Sequence, residues 1–379
     1  MLPFHLDAVI DDWNSLRPAM IRTRPEAFTR PEWAYLLEFL APENLRMPFE
    51  RAFGTPCAND AAPPRSLFRP GGPVAVWLPN NVSLLGPLTA ILLSLTGNPV
   101  HFKAGSRGQD LASAFLDYVL GTLRDGHLKE HLRTRYDLAV FERDDPRNAD
   151  MAREAAVRIV FGSDAAVEAV EALPHPPGSV GCCFGDRRSQ AWLEPAALND
   201  AVVTDLLRVF AIYGQAGCTS PSKVVLLTDG GGLASSPAEL CARLSAGWPQ
   251  AVRRDPPMHV ASQNVLAAQW GKALGWEASL AARNGAVFAA GTPELPAFAG
   301  PMTLPVVAMS VEEAIAQLPA NIQTLGHAFA DPSDPRWLSL LADTRIKRLV
   351  PLARMHHFGA VWEGRNFWKQ TFEEIDISP

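Results

Sequence analysis

At roughly 150 residues per domain, a chain of 379 residues has room for two or three domains and a large buried core. It carries 34 Lys and Arg against 40 Asp and Glu, a formal charge of −6, and this balance argues against a nucleic-acid partner. The hydrophobic content of 47% excludes wholesale disorder.

The cysteine pattern and the N-terminus both favour an intracellular protein. The cysteines are odd in number, and no two of them have CxxC spacing, so we expect neither a disulfide framework nor a zinc ribbon. The first residues, MLPFHLDAVIDDW, carry acids where a signal peptide needs a basic start and a long apolar run. We therefore expect a cytoplasmic protein with reduced thiols.

The first 70 residues predict short helices separated by prolines. The stretch between Arg69 and Lys103 then contains no charged residue and has the overall hydropathy of a membrane span. It divides, however, into a strand at 74–78, a Pro-Asn-Asn turn, a helix at 83–95 and a strand at 100–102, each too short to cross a bilayer. The pattern predicts a buried βαβ unit and no membrane partner.

Strands and helices continue to alternate to about residue 185. This alternation is typical of a parallel, doubly wound sheet. The further elements predicted are helices at 110–123, 152–157 and 164–173, and strands at 138–141, 157–161 and 179–184.

The second half of the chain predicts another α/β region. A helix at 197–212 leads into the Gly-rich loop 214–221, GQAGCTSP, and a strand follows at 223–227. Helices and apolar strands alternate again from 235 to 345, with one strand at 303–308. A late strand is predicted at 348–352.

Cys218 is the strongest candidate for chemistry because it lies in this Gly-rich loop. Glycines let backbone N–H groups converge on one point, so a thiol here could attack a carbonyl while its own N–H stabilises the oxyanion. The alternative is a buried structural cysteine, which is the commoner role of a cysteine.

Other polar residues stand at predicted strand ends, where a doubly wound sheet binds its ligand. Lys103 could contact a ribose hydroxyl or a phosphate, or it is a solvated loop lysine. Gly162 and Ser163 open a helix whose N–H groups favour phosphate, although such pairs are common in turns. Asn80 and Asn81 could supply an amide to an oxyanion, and asparagine is also a frequent turn and cap residue.

No metal site is predicted. Cys182 and Cys183 are adjacent in a strand and face opposite sides, so they cannot grip one ion together. The adjacent His356 and His357 have no carboxylate or cysteine at ligand spacing.

The order of these weak signals resembles the aldehyde dehydrogenase superfamily. The better match is its acyl-CoA reductase branch, the LuxC-like type that makes fatty aldehyde for bacterial luciferase. The loop 214–221 is similar to that branch's catalytic cysteine loop, and FGDRRS at 184–189 and RLVPL at 348–352 are also similar. The resemblance covers roughly residues 70–370.

The resemblance implies a fold and a set of roles. The fold is α/β, aldehyde-dehydrogenase-like, with a Rossmann-type nucleotide domain and an α/β catalytic domain. Cys218 would be the nucleophile that forms a thioester with the acyl group. Asn81 would match the oxyanion-hole asparagine of the superfamily's P-W-N-F-P turn, here written PNNVS.

The resemblance also implies a nicotinamide cofactor, NADPH, with NADH as the alternative. Lys103 would match the lysine that contacts the adenosine ribose or its 2′-phosphate, and Ser106 follows it in the same loop. Gly162 and Ser163 would match the G-S pair that faces the cofactor pyrophosphate.

One departure from the superfamily pattern is informative. Hydrolytic members carry a water-activating Glu in an L-E-L-G-G strand, whereas GCCFG stands here at 181–185, with Cys182 at or near the Glu position. Without that base, water should deacylate the enzyme slowly. This favours reduction of an acyl-CoA or acyl-carrier-protein thioester to an aldehyde.

We predict three regions on this basis. They are an N-terminal segment 1–70, a nucleotide-binding domain 71–190 completed by 346–379, and a catalytic domain 191–345. The expected association is a homo-oligomer or a complex with an acyl-donating enzyme.

Three other functions stay open from the sequence. An aldehyde-oxidising dehydrogenase is disfavoured by the missing Glu. A non-catalytic subunit that binds an acyl enzyme or carrier protein should bind no NADPH. A cysteine acyltransferase would need a base near Cys218 in space, since no histidine is near it in sequence.

Overall fold

The protein is described here from a computed structural model. The structure describes residues 5–54, 66–105, 111–229, 236–253, 255–292 and 300–377. The chain folds into two compact units, which are described separately. The first unit comprises Met1–Gly185 and Phe358–Pro379, and the second comprises Asp186–His357.

The first unit contains a parallel sheet of five strands in the order β4-β3-β2-β5-β6. Every pairing within it is parallel, as the alternation of elements predicted. The strands of this part of the chain are β1 (Ser66–Pro70), β2 (Val74–Trp77), β3 (Val100–Ala104), β4 (Tyr136–Val140), β5 (Val157–Phe161) and β6 (Val180–Phe184). Its helices are α1 (Leu6–Arg22), α2 (Arg30–Phe39), α3 (Pro42–Phe53), α4 (Leu85–Ser94), α5 (Leu111–Thr122), α6 (His127–Arg135), α7 (Arg147–Glu154) and α8 (Asp164–Glu171).

The N-terminal helices pack into the first unit rather than standing apart from it. Buried Trp13 of α1 donates from Nε1 to Ser94 Oγ at 2.9 Å and stacks on Phe115 of α5, with ring centroids 6.0 Å apart. α1 is also longer than predicted and continues through Pro18. Burial of its apolar face outweighs the one backbone hydrogen bond that the proline removes.

The predicted strands of the βαβ region are confirmed. β2 and β5 are buried along their whole length, which explains why both appear in the sequence as continuous apolar runs. The helix predicted at 152–157 is wrong in its bounds, because α7 spans Arg147–Glu154. Its start is polar and follows Pro146, so hydrophobic spacing could not locate it.

No helix in the described ranges combines the length and apolar character that a bilayer crossing needs. The uncharged stretch before Lys103 forms β2, α4 and most of β3, as the sequence predicted.

The second unit is built on a sheet of seven strands in the order β13-β12-β7-β8-β11-β10-β9. All neighbours are parallel except β9, which runs antiparallel to β10. Its strands are β7 (Arg188–Leu193), β8 (Pro221–Leu227), β9 (Glu277–Leu280), β10 (Val287–Ala290), β11 (Thr303–Met309), β12 (Ile322–Ala328) and β13 (Arg348–Pro351). Its helices are α9 (Asp200–Ala211), α10 (Pro237–Ala251), α11 (Met258–Ala273), α12 (Val311–Ala316) and α13 (Pro335–Ala342).

Both faces of this sheet are buried. Val224 and Leu226 of β8 point into a core shared with α9 and α10, and Val225 and Leu227 point into a second core shared with Trp337 of α13. Because successive side chains of a strand point to opposite faces, β8 contributes to a hydrophobic core on each side of the sheet. β8 begins directly after the cysteine loop, which fixes that loop to the centre of the sheet.

The end of the chain is divided between the two units. β13 pairs with β12 in the second unit, whereas residues from Phe358 onward belong to the first unit. The last segment contains β14 (Val361–Trp362), β15 (Arg365–Asn366) and β16 (Phe372–Asp376), and β16 pairs antiparallel with β1. The first unit thus takes in the chain again from Phe358, whereas the prediction completed the nucleotide-binding domain with 346–379.

Candidate active site

The cysteine loop of the second unit begins with three residues in the left-handed region. Tyr213, Gly214 and Gln215 have φ of 54°, 60° and 64°. Two of these residues carry a side chain, so the conformation is strained and must be held by other contacts. Ser220 N–H then donates to the Gly217 carbonyl at 2.9 Å and closes a tight turn around Cys218.

Gln215 supplies the contacts that hold the loop. Its Oε1 accepts from the Met302 N–H at 2.7 Å, and its Nε2 donates to the carbonyls of Pro221 and Thr303, both at 3.3 Å. These bonds tie the loop to the beginnings of β8 and β11. The glutamine of GQAGCTSP is therefore a structural clamp.

The Cys218 side chain is half-buried at the centre of this turn. Its carbonyl accepts a hydrogen bond of 2.7 Å from Ser189 Oγ, and Ser189 is fully buried in β7. The peptide group that follows the thiol is thus fixed from the neighbouring strand.

A histidine lies next to the turn, although none is near it in sequence. His356 Nδ1 is 2.7 Å from Oγ1 of Thr219, the residue after Cys218, and Nε2 is 2.7 Å from the Val209 carbonyl at the end of α9. The ring also makes an edge contact with Tyr213, with centroids 5.9 Å apart. His356 and Ser189 are site residues that sequence reasoning missed.

Burial keeps the imidazole neutral. It lowers the pKa of His356 to about 4. The bond to the Val209 carbonyl opposes this shift, and the interactions with Arg348 and His357 add to it. A carbonyl can only accept, so Nε2 carries the proton and Nδ1 accepts from the Thr219 hydroxyl. Both ring nitrogens are engaged, which disfavours His356 as a general base for an acyltransferase.

The remaining described cysteines are poor nucleophiles. Burial raises the pKa of Cys182 to about 11 and that of Cys183 and Cys241 to about 12. Glu171 adds to the effect at Cys183, whose thiol it contacts at 3.4 Å. Cys57 lies outside the described residues.

The other predicted site residues lie in the first unit, at the carboxyl ends of neighbouring strands. Asn81 follows β2, Lys103 is in β3, and Gly162 and Ser163 follow β5, so the sheet brings them to one edge. Ser106 lies outside the described residues.

A small, shallow cleft lies at this edge, between the ends of β2 and β3. Its wall includes Asn80 and Gly105, whereas Asn81 is exposed and does not line it. A Cβ on Gly105 would overlap the Asn80 side-chain oxygen, so glycine is required for this close approach.

Lys103 is half-buried beside an aromatic ring. Its Nζ lies 5.9 Å from the centroid of Phe141, and Arg147 covers the same ring at 4.4 Å. Burial lowers the pKa of Lys103, and the negative charge of Glu142 partly opposes this shift. A partly desolvated cation at a strand end suits an anionic ligand.

Ser163 is the N-cap residue of α8. Its hydroxyl accepts from the Ala166 N–H at 3.3 Å at the start of α8. A Cβ on Gly162 would lie 3.0 Å from the Ala166 side chain, so this turn is also tight.

Among the described residues, no group of His, Cys, Asp and Glu has the arrangement of a metal site. The ring nitrogens of His356 are instead hydrogen-bonded to Thr219 and to the Val209 carbonyl.

The cysteine loop resembles that of acyl-CoA reductases, and a comparison with protein families tests this resemblance. A family model described as acyl-CoA reductase (LuxC) matches residues 10–291, which is more than half of the chain and includes Cys218. The chain belongs to the LuxC acyl-CoA reductase family. The match begins well before residue 70, so the LuxC relationship extends into the N-terminal helices for which the sequence offered no motif.

The fold of this LuxC family member is that of aldehyde dehydrogenases. The structure of an aldehyde dehydrogenase from Bartonella henselae is 11% identical with a TM-score of 0.64, covering 98% of this chain and 85% of the other. An NAD-dependent aldehyde dehydrogenase from Sinorhizobium meliloti is 13% identical with a TM-score of 0.66, covering 98% and 80%. Lactaldehyde dehydrogenase from Escherichia coli is 12% identical with a TM-score of 0.61, covering 98% and 85%.

None of the curated proteins compared with the chain matches it significantly. The family assignment confirms the prediction of an oxidoreductase, and the structural neighbours confirm the predicted α/β, aldehyde-dehydrogenase-like fold.

Proposed function

We propose that the chain reduces an acyl thioester, carried by CoA or by a carrier protein, to an aldehyde, with Cys218 as the nucleophile. The observation that carries the proposal is the constrained turn around Cys218, in a chain that belongs to the acyl-CoA reductase family. A thiol held in a turn by fixed hydrogen bonds can be presented to a bound carbonyl in one geometry.

In the first step the Cys218 sulfur attacks the thioester carbonyl. The carbon–sulfur bond to CoA or the carrier breaks, and the acyl group becomes bonded to Cys218. Asn81 and the backbone N–H of Cys218 are proposed to donate to the oxyanion of the tetrahedral intermediate. The bond from Ser189 to the Cys218 carbonyl supports this step by holding the backbone of Cys218 on the side that follows the thiol.

The second step requires a nicotinamide cofactor, which supplies a hydride when bound. The strand ends of the first unit suit such a ligand, because Lys103 offers a partly buried cation there. We propose that Lys103 contacts the adenosine ribose or its 2′-phosphate, and that Gly162 and Ser163 face the pyrophosphate. NADPH is the proposed cofactor, with NADH as the alternative.

Hydrolysis of the acyl-enzyme should be slow. Cys182, which stands at or near the position of the water-activating Glu of hydrolytic relatives, is buried, and its raised pKa of about 11 keeps it protonated at neutral pH. A protonated thiol cannot take a proton from water. The acyl-enzyme therefore persists long enough to be reduced rather than hydrolysed.

The test is NADPH consumption with a panel of acyl-CoA substrates, with the aldehyde trapped and identified. Cys218→Ala should abolish turnover, whereas the control Cys183→Ala should keep it. Oxidation of free aldehyde with NAD⁺ but no reduction of any thioester would replace the proposal by the dehydrogenase function. Failure with CoA and carrier-protein thioesters, together with no NADPH binding, would favour a non-catalytic subunit.

A further inference from the structure

A chain of hydrogen bonds beside Cys218 joins residues that are far apart in the sequence. It runs from the Val209 carbonyl through His356 to the Thr219 hydroxyl, and both of its contacts measure 2.7 Å. All of its members lie in the second unit. Thr219 is 5% exposed, so water competes little for its hydroxyl.

We infer that His356 is a positioning residue for Cys218, a neutral imidazole that is fixed by Val209 and orients the Thr219 side chain. The inference rests on the proposed function, because it takes Cys218 as the nucleophile. His356 itself does not touch the reacting atoms in this scheme, so it is not a catalytic residue.

The direction of each bond follows from the chemistry of the groups. The Val209 carbonyl can only accept, so His356 Nε2 must donate and the neutral ring leaves Nδ1 as an acceptor. The Thr219 hydroxyl therefore donates, and its side-chain rotamer is fixed. An imidazolium would have no acceptor for this hydroxyl.

The space beside the residue before the nucleophile is also limited. A Cβ built on Gly217 would lie 3.9 Å from His356 Cε1 and 3.4 Å from both Tyr213 Cδ2 and Ser220 Oγ. Thr219, the residue after Cys218, is held by its hydrogen bond to the ring, while Ser189 holds the Cys218 carbonyl. A displacement of the nucleophile by a fraction of an ångström slows attack without removing the thiol.

Two substitutions of similar shape at position 356 test the two hydrogen bonds of the imidazole one at a time. His356→Asn places an amide oxygen near the position of Nδ1 and keeps an acceptor for Thr219, whereas His356→Gln places an amide nitrogen near Nε2 and keeps the donor to Val209. Each variant loses one of the two hydrogen bonds. Thr219→Val removes the hydroxyl at nearly constant shape, and Thr219→Ser keeps it.

The decisive measurement is the rate of CoA release in a single turnover without cofactor, at saturating acyl-CoA. We expect His356→Gln and Thr219→Val each to slow it about tenfold, and their combination to slow it no further. His356→Asn and Thr219→Ser should keep most of the rate, and exposed His259→Gln is the unaffected control. Additive effects in the double variant, or equal effects of Asn and Gln at position 356, overturn the inference.

Failure of the proposed function can be recognised separately. If the wild-type chain releases neither CoA nor the carrier-protein thiol from any thioester, the proposed function fails, and alkylation of Cys218 by iodoacetamide then tests the positioning. The variants that lose the His356–Thr219 bond should alkylate several-fold faster, because the half-buried thiol loses part of the turn that shields it. Equal alkylation rates in all four single variants contradict a positioning role.

Discussion

The Thr219 hydroxyl lies 2.7 Å from Nδ1 of His356, which is 137 residues later in the chain. The contact joins the cysteine loop to the segment that follows β13. It also explains why this histidine must stay neutral, since the hydroxyl can donate only to an unprotonated Nδ1.

Acid should destabilise the protein through this histidine and through His131. The folded-state pKa of each is about 4, below the ordinary value of 6.5. Between these values the unfolded chain binds a proton that the folded chain does not, so the free energy of unfolding falls as the pH drops from 6.5 towards 4. Each residue contributes on the order of 3 kcal/mol across this window.

Urea unfolding at pH 7.5, 5.5 and 4.5 measures the effect. His356→Asn should lower the stability at pH 7.5 and flatten the loss between pH 7.5 and 4.5, because one of the two titrating groups is gone. Exposed His259→Asn should leave the slope unchanged. An unchanged slope in His356→Asn would show that the imidazole binds its proton at the same pH in the folded and unfolded chain, which would contradict the lowered pKa.

Cys218 should be the thiol that labels fastest. The raised pKa of Cys182, Cys183 and Cys241 leaves little thiolate at pH 8, and two of these side chains are also buried. In a Cys57→Ser background, we expect about one equivalent of rapid labelling by a disulfide reagent. Cys218→Ser should remove it, and rapid labelling that persists in that variant would contradict the assignment.

The first unit could be predicted from the sequence in most of its strands, for a simple physical reason. β2 and β5 are buried on both faces, so each is a continuous apolar run bounded by turn residues. β7 and β12 were not predicted. Each of them contains buried polar residues, such as Gln190 and Gln323, which interrupt the apolar pattern.

The candidate site was predictable only where its residues stand in local motifs. Cys218 lies in a recognisable loop, and Lys103 and Ser163 lie at predicted strand ends. His356 and Ser189 could not be linked to Cys218, because their contacts are made by strand order and not by spacing along the chain. The role of Gln215 depends likewise on β11, which begins 88 residues later at Thr303.

Gln323 tests how much a buried side-chain amide without a hydrogen-bond partner lowers the free energy of unfolding. Its side chain is 1% exposed in β12, and neither the amide oxygen nor the amide nitrogen has a hydrogen-bond partner. We expect Gln323→Met to raise the free energy of unfolding by about 1–2 kcal/mol, since the shape is nearly kept and the desolvation penalty disappears. Chemical denaturation measures it, with exposed Gln317→Met as the control. A loss of stability would mean that the amide is paired in solution.

Lys103 should govern cofactor affinity rather than the chemical step. Removing its partly buried cation in Lys103→Met should raise the KM for NADPH about tenfold or more with little change in kcat, because a charge-assisted contact is lost. Exposed Lys272→Met is the control. A larger effect on NADPH than on NADH would indicate the 2′-phosphate as the contact, and an unchanged KM for both would contradict the proposed role.

Gly105 tests whether the cleft of the first unit binds the cofactor. A methyl group there would overlap the Asn80 side-chain oxygen and displace it into the cleft. Because Asn80 is exposed, Gly105→Ala should change the melting temperature little but raise the KM for NADPH several-fold.

The matched control for this substitution is Gly121→Ala, near the end of α5. A Cβ at Gly121 meets no atom within 4 Å, so this variant should keep its cofactor affinity. It should also gain about 0.5–1 kcal/mol of stability from the better helix propensity of alanine. If Gly105→Ala binds NADPH as tightly as Gly121→Ala in a direct titration, the cofactor does not occupy the cleft beside Asn80, and Lys103 must then be examined as part of a different surface.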